Sequence, residues 1–201
     1  MNLEDYLHQN ARGYPDKVAV VCGDTSLTYA QLWQEVARRA QDFHPHEVVC
    51  FRSSQDIDFL VTYMAVHLAG GVAVPLEHGM PDTLFERISS AVARSFTLHS
   101  SLPIADILYT TGTTGQSKGV MVSHRALIAD AENLIAGQGF SHDLVFIING
   151  PLNHIGRKKG PENLADVVKK VTFAPLLSLT SASDGMSGSQ DSNRKRPPRF
   201  V

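Results

Sequence analysis

The segment from Ile107 to His124, ILYTTGTTGQSKGVMVSH, concentrates the residue types that hold a polyphosphate. An apolar strand leads into a run of three glycines, four threonines, one serine and one lysine, and a second apolar stretch follows. Glycines let successive backbone N–H groups converge on one concave point. The hydroxyls add short donors, and Lys118 adds a mobile positive charge. A plain surface turn rarely calls for so many threonines and glycines together.

A P-loop of the Walker type is the first alternative. The spacing from Gly112 to Lys118 fits that pattern, but it ends in Gly-Lys-Ser/Thr, whereas here Ser117 precedes the lysine and Gly119 follows it. The loop is also followed by a strand, not by the helix a P-loop requires.

The stretch TTGTTGQSKGV, starting at Thr110, resembles the phosphate-binding signature of the adenylate-forming superfamily, which includes acyl-CoA synthetases, luciferases and the adenylation domains of peptide synthetases. Three further segments resemble the same family in the same order: SLTYAQL at Ser26–Leu32, YMAVHLAGGVAVPL at Tyr63–Leu76 and PLNHIG at Pro151–Gly156. The resemblance implies that Thr110, Thr111, Gly112, Thr113, Thr114, Gly115 and Lys118 embrace the β- and γ-phosphates of ATP, with Mg²⁺ sharing the charge. Ser117 stands where the family often has proline, which loosens the loop without removing a donor. His154 matches a position that lines the acyl pocket in the family; read on its own, it is a histidine closing a strand end.

By this resemblance the chain is the front portion of an ATP-dependent ligase. Such enzymes convert a carboxylic acid and ATP to an acyl-AMP and pyrophosphate, and acyl-CoA synthetases then pass the acyl group to CoA. The expected partners are a nucleotide and a carboxylic acid, and CoA is expected only for the full-length family. A second reading is a non-catalytic remnant that folds or binds nucleotide without turnover. After Gly156 the later family motifs are missing, among them the ribose-binding acid and the C-terminal lysine, and RKKGPENLADVVKKVTFAPLL resembles nothing in the family. No catalytic residue is assigned within this chain, and the isolated chain is expected to be inactive, since acyl activation needs groups placed around both reactants.

The elements that must position the loop alternate between strand and helix. Leu3–Arg12 reads as a short helix stopped by Gly13 and Pro15. Val18–Val21 and Ser26–Thr28 read as a hairpin turning at Gly23-Asp24. Thr28 with Gln31 forms a capping box, and Leu32, Val36 and Ala40 line one face of the helix behind it. Strands at Val48–Phe51, Val72–Leu76, Phe96–His99 and Ala105–Thr110 alternate with helices at Asp56–Ala69 and Pro81–Ala93, with Pro81 in the first helical position. A strand at Val120–Val122, a cap at Ser123, a helix from His124 to Ala136 and a strand at Leu144–Ile148 follow. The pattern predicts an α/β fold with a mainly parallel sheet flanked by helices, a partial N-terminal domain of the acyl-CoA synthetase type.

Composition narrows the function classes. The chain has 201 residues, 43% of them hydrophobic, and a net charge of −2, which disfavours a nucleic-acid-binding surface. Cys22 and Cys50 form no CxxC, no histidine has ligand spacing, and neither a disulfide framework nor a metal site is expected. The acidic start MNLEDYLHQNARG carries no export signal, so a cytoplasmic location is expected. The apolar run Phe59–Leu76 is interrupted by His67, Gly70, Gly71 and Pro75, which argues for a buried helix entering a buried strand and against a membrane span.

The charge balance changes sign along the chain, from −7 over residues 1–156 to +5 over residues 157–201. We therefore expect a domain at 1–156 and an unrelated basic extension at 157–201. From Ser178 onward the large apolar residues are Leu179, Met186, Phe200 and Val201. Burying these returns about 6–12 kcal/mol, while ordering that stretch costs about 24–48 kcal/mol, so the tail is expected to be disordered. Its basic residues Arg194, Lys195, Arg196 and Arg199 read as a solvated cluster.

Overall fold

The computed structural model describes residues 2–95, 104–110, 118–138, 145–147 and 172–173. Helix α1 spans Leu3–Gly13, and β1 (Val18–Cys22) and β2 (Thr25–Thr28) form the expected antiparallel hairpin, turning through Gly23 at φ +58°. The short strands β7 (Phe146–Ile147) and β8 (Thr172–Phe173) extend this hairpin into a sheet ordered β2-β1-β8-β7. The expected strands at Phe96–His99 and the tail from Ser178 lie outside the described residues, as do the outer residues of the one expected at Leu144–Ile148.

Helix α2 (Tyr29–Arg39) starts on the predicted capping box. The Gln31 backbone N–H donates to Thr28 Oγ1 at 3.3 Å, and the Thr28 N–H donates to Gln31 Oε1 at 2.9 Å. Each bond satisfies a donor that the first helical turn leaves orphaned.

The second sheet runs β3-β4-β5-β6, with β3 at Val48–Ser53, β4 at Val72–Glu77, β5 at Ile104–Thr110 and β6 at Lys118–Ser123. Strands β3, β4 and β5 are parallel, and β6 returns antiparallel to β5. The sheet is thus parallel where helices cross over and antiparallel at the hairpin that carries the glycine-rich segment. Strands β3 and β4 are registered from Val48↔Val72 to Ser53↔Glu77, whereas β4 and β5 are registered at Ala73↔Asp106. Pro75 sits within β4 and has no N–H to give a neighbour.

Helix α3 (Ile57–Leu68) connects β3 to β4. Asp56 caps it by accepting from the Phe59 N–H at 2.8 Å. It ends on two glycines: Gly70 N–H donates to the His67 carbonyl at 2.9 Å and Gly71 N–H to the Val66 carbonyl at 2.9 Å. This pairing is the Schellman arrangement, which needs a left-handed residue after the cap, and Gly70 supplies φ +75°. The apolar run Phe59–Leu76 is therefore a buried helix turning into a buried strand. Among the described residues no helix is long and apolar enough to cross a membrane.

Helix α4 spans Asp82–Ser95. It begins one residue later than predicted, because Pro81 serves as the flanking residue whose carbonyl accepts from the Leu84 and Phe85 N–H groups at 3.0 Å each. Val72, Val74 and Leu76 of β4 and Ile107 of β5 pack with Ile88 and Val92 of α4 on one face of the sheet. A second core joins Leu7, Val20, Leu32, Val36, Leu60, Val61 and Met64, drawn from α1, β1, α2 and α3. Helix α5 (His124–Gln138) follows β6, and Ser123 caps it by accepting from the Ala126 N–H at 3.2 Å.

Candidate functional site

The glycine-rich segment springs from the carboxyl end of β5, the edge of a parallel sheet where ligands lie in open α/β folds. Thr110 is the last residue of β5 and Lys118 the first of β6, and the two are ladder partners. The ends of residues 111–117 are thereby pinned side by side. Lys118 is exposed and makes no ion pair among the described residues. Thr111, Gly112, Thr113, Thr114 and Gly115 lie outside the described residues, as does His154.

Gly119 has a packing reason to be glycine. A Cβ there would stand 3.0 Å from Ile107 Cγ2 and 3.3 Å from Tyr109 Cζ, so a side chain would crowd both and require them to give by a few tenths of an ångström. Burial raises the Tyr109 hydroxyl pKa, which keeps that ring neutral beside the loop.

The same sheet edge carries an open groove of about 490 Å³ between the ends of β3 and β4. Ser53, Ser54, Gln55, Asp56, Glu77 and His78 line it, and Ser53 Oγ is buried without a partner. Arg52, next to Ser53 in β3, ties this strand to the segment after β4, donating to the His78 and Met80 carbonyls at 3.1 and 2.6 Å, pairing with Asp82, and lying 4.8 Å from the centre of the Phe85 ring.

Sequence spacing offered no hint of a buried polar cluster on the opposite face of β5. Strand alternation turns Asp106 away from the face where Ile107 packs against α4. Helical spacing stacks Tyr63 and His67 on one side of α3, their rings 4.4 Å apart. Tyr63 Oη donates to Asp106 Oδ2 at 2.8 Å, and His67 Nε2 lies 2.9 Å from Asp106 Oδ1. A carboxylate can only accept, so His67 Nε2 carries the proton. The His124 ring stands edge-on to His67 at 5.1 Å, and Glu4 of α1 is buried beside them. Burial is the main cause that lowers the His124 pKa, with His67 adding to it, and burial also pushes the Tyr63 hydroxyl well up. His124 is the first residue of α5 and is buried.

The profile of the AMP-binding enzyme family matches residues 7–104 and 102–157, and the protein belongs to that family of adenylate-forming enzymes. The chain is 28% identical over 172 residues to the N-(5-amino-5-carboxypentanoyl)-L-cysteinyl-D-valine synthase of Penicillium rubens, covering 63% of this chain and 5% of the synthase. It is 27% identical over 183 residues to a nonribosomal peptide synthetase of Gibberella zeae, covering 71% of this chain and 2% of that protein. Among solved structures, the N-terminal subdomain of Klebsiella oxytoca NpsA in complex with 3-hydroxybenzoyl-AMSN is similar at a TM-score of 0.58 and 20% identity, over 70% of this chain and 45% of that one. This likeness shows the fold, a parallel-rich sheet flanked by helices. The chain spans 2–5% of the length of these curated relatives.

Proposed function

We propose that this chain supplies the triphosphate-gripping part of an enzyme that activates a carboxylic acid as its acyl-AMP. The observation that carries the reading is the ladder pairing of Thr110 with Lys118, which frames the family's phosphate signature at the carboxyl edge of the sheet. In this reading Thr110, Thr111, Gly112, Thr113, Thr114, Gly115 and Lys118 hold the β- and γ-phosphates of ATP. The acid's carboxylate oxygen attacks the α-phosphorus, and pyrophosphate leaves into the loop. An exposed lysine and clustered hydroxyls fit a magnesium-bound polyphosphate, whose metal would screen the charge of the leaving group. His154 is proposed to line the acid pocket. Residues 1–156 are proposed to form the partial nucleotide-binding domain, and residues 157–201 a basic extension.

The Gibberella relative is named as a nonribosomal peptide synthetase, and the solved Klebsiella neighbour holds 3-hydroxybenzoyl-AMSN. Both favour an amino or aryl acid over a fatty acid as the substrate class. Transfer to CoA belongs to the acyl-CoA synthetase branch and is the less supported second step. The alternative reading is nucleotide binding without turnover.

Two measurements test the proposal. Lys118→Ala should weaken ATP binding about 10- to 150-fold, the worth of one charged hydrogen bond, and leave AMP binding nearly unchanged. Equal ATP affinity in both proteins would make the loop a structural turn. Acid-dependent exchange of pyrophosphate into ATP, run with a panel of amino and aryl acids, separates turnover from simple nucleotide binding.

A further inference from the structure

We propose that Glu4, His67 and His124 form a buried site for one divalent transition-metal ion of the zinc class, separate from the phosphate loop. The three residues come from distant parts of the chain: the first turn of α1, the C-terminal half of α3 and the first residue of α5. Their relative exposures are 8%, 1% and 7%, and one ligand-capable atom from each lies within 4.8 Å of the others.

Each residue also holds a buried polar atom with no hydrogen-bond partner: Glu4 Oε2, His67 Nδ1 and His124 Nδ1. Isolated unsatisfied polar atoms in a core are costly, and three converging in one place call for a common occupant. A cation would satisfy the Glu4 carboxylate oxygen and one imidazole lone pair from each histidine at once.

The surrounding bonds prepare these atoms for a metal. Asp106 Oδ1 takes the proton on His67 Nε2, at 2.9 Å, which leaves Nδ1 as the bare lone pair. Tyr63 in turn fixes Asp106 through the 2.8 Å bond to Oδ2. A carboxylate behind a ligating imidazole is the usual arrangement that orients the ring and raises its basicity. Glu4 is held in the same way, with Asn2 Nδ2 donating to Oε1 at 3.0 Å and Oε2 left over. Two imidazoles and one carboxylate suit zinc, with a fourth position for water. Bonds of about 2.0–2.2 Å would place the ligand atoms about 3.3 Å apart, so atoms now within 4.8 Å of one another need to draw together by at most about 1.5 Å. The ion would carry two positive charges into a pocket that holds the carboxyl groups of Glu4 and Asp106. It would also pin α5, which begins where β6 ends, to α1 and α3. This inference does not depend on the ATP reading.

Cobalt(II) titration of the untagged full chain tests the site directly. One equivalent of Co²⁺ should bind, produce the visible absorption of a tetrahedral ion, and be displaced by Zn²⁺. Glu4→Gln and His124→Gln should each weaken Co²⁺ binding roughly 100-fold, while a His44→Gln/His46→Gln control at exposed positions leaves it unchanged. A wild-type protein that gives no tetrahedral spectrum overturns the proposal, whether or not the variants fold. So does a spectrum that both Glu4→Gln and His124→Gln retain at full affinity.

Discussion

His67 Nε2 and Asp106 Oδ1 lie 2.9 Å apart with side-chain exposures of 0% and 3%, joining helix α3 to the central sheet through a bond shielded from water. Asp106→Ala would strip the partner from His67 and from the Tyr63 hydroxyl together. With about 1–3 kcal/mol for each buried polar group left unsatisfied, the expected loss of stability is about 2–6 kcal/mol in chemical denaturation. Tyr63→Phe removes one donor and leaves the histidine paired, so it should cost about 1 kcal/mol. Equal losses in the two variants would show that the His67 bond contributes nothing.

The capping box at the start of α2 offers a local test. Thr28→Ala abolishes the bond from the Gln31 N–H, and such a loss typically costs about 1 kcal/mol. Thr28→Ser and Thr28→Asp should retain most of the stability. A melt in which all three variants match wild type would mean that helix packing alone fixes this end.

The two glycines after α3 should respond differently to alanine. At Gly70 the cost is conformational, about 1–2 kcal/mol for a left-handed L-residue, and Asn should recover part of it. At Gly71 the obstacle is backbone: a Cβ would stand 3.0 Å from the Glu47 carbonyl oxygen and 3.1 Å from that of Val66. Crowding of this kind costs about 1–3 kcal/mol, and Gly71→Asn should be worse than Gly71→Ala. Thermal melts of the four variants distinguish torsional strain from collision.

Burial pushes the Cys50 thiol pKa up, so at a given pH the folded protein holds less of its reactive thiolate than an exposed cysteine would. Alkylation of Cys50 should therefore lag that of a free thiol near pH 8 and keep climbing as the pH rises beyond the ordinary thiol range. In denaturant the lag should vanish. Mass-resolved labelling kinetics at several pH values check both points.

Much of the fold was legible because its signals are local. Thr28 and Gln31 are three residues apart, Gly70-Gly71 breaks an apolar run, and the alternation of strand and helix demands crossovers. The phosphate segment was legible as a composition, since few other tasks gather threonine, glycine and lysine so densely. The antiparallel return of β6 was harder to foresee, because an apolar strand after a loop reads the same in either direction. Pro81 suits both the last flanking position and the first helical one. The cluster at Glu4, His67 and His124 was invisible for a different reason: no periodicity links residues that far apart, and only the packing of α1, α3 and α5 around one face of β5 brings them together.

The central sheet is well laddered in two places and thinly stitched between them. Six registered pairs tie β3 to β4, and β5 and β6 are laddered along the hairpin, yet β4 and β5 meet in register at Ala73↔Asp106 alone. Beyond that point Pro75 cannot donate a rung. The β5 strand is therefore held there largely by its side chains, through the packing of Ile107 with Val72, Val74 and Leu76 on one face and the bonds of Asp106 to Tyr63 and His67 on the other.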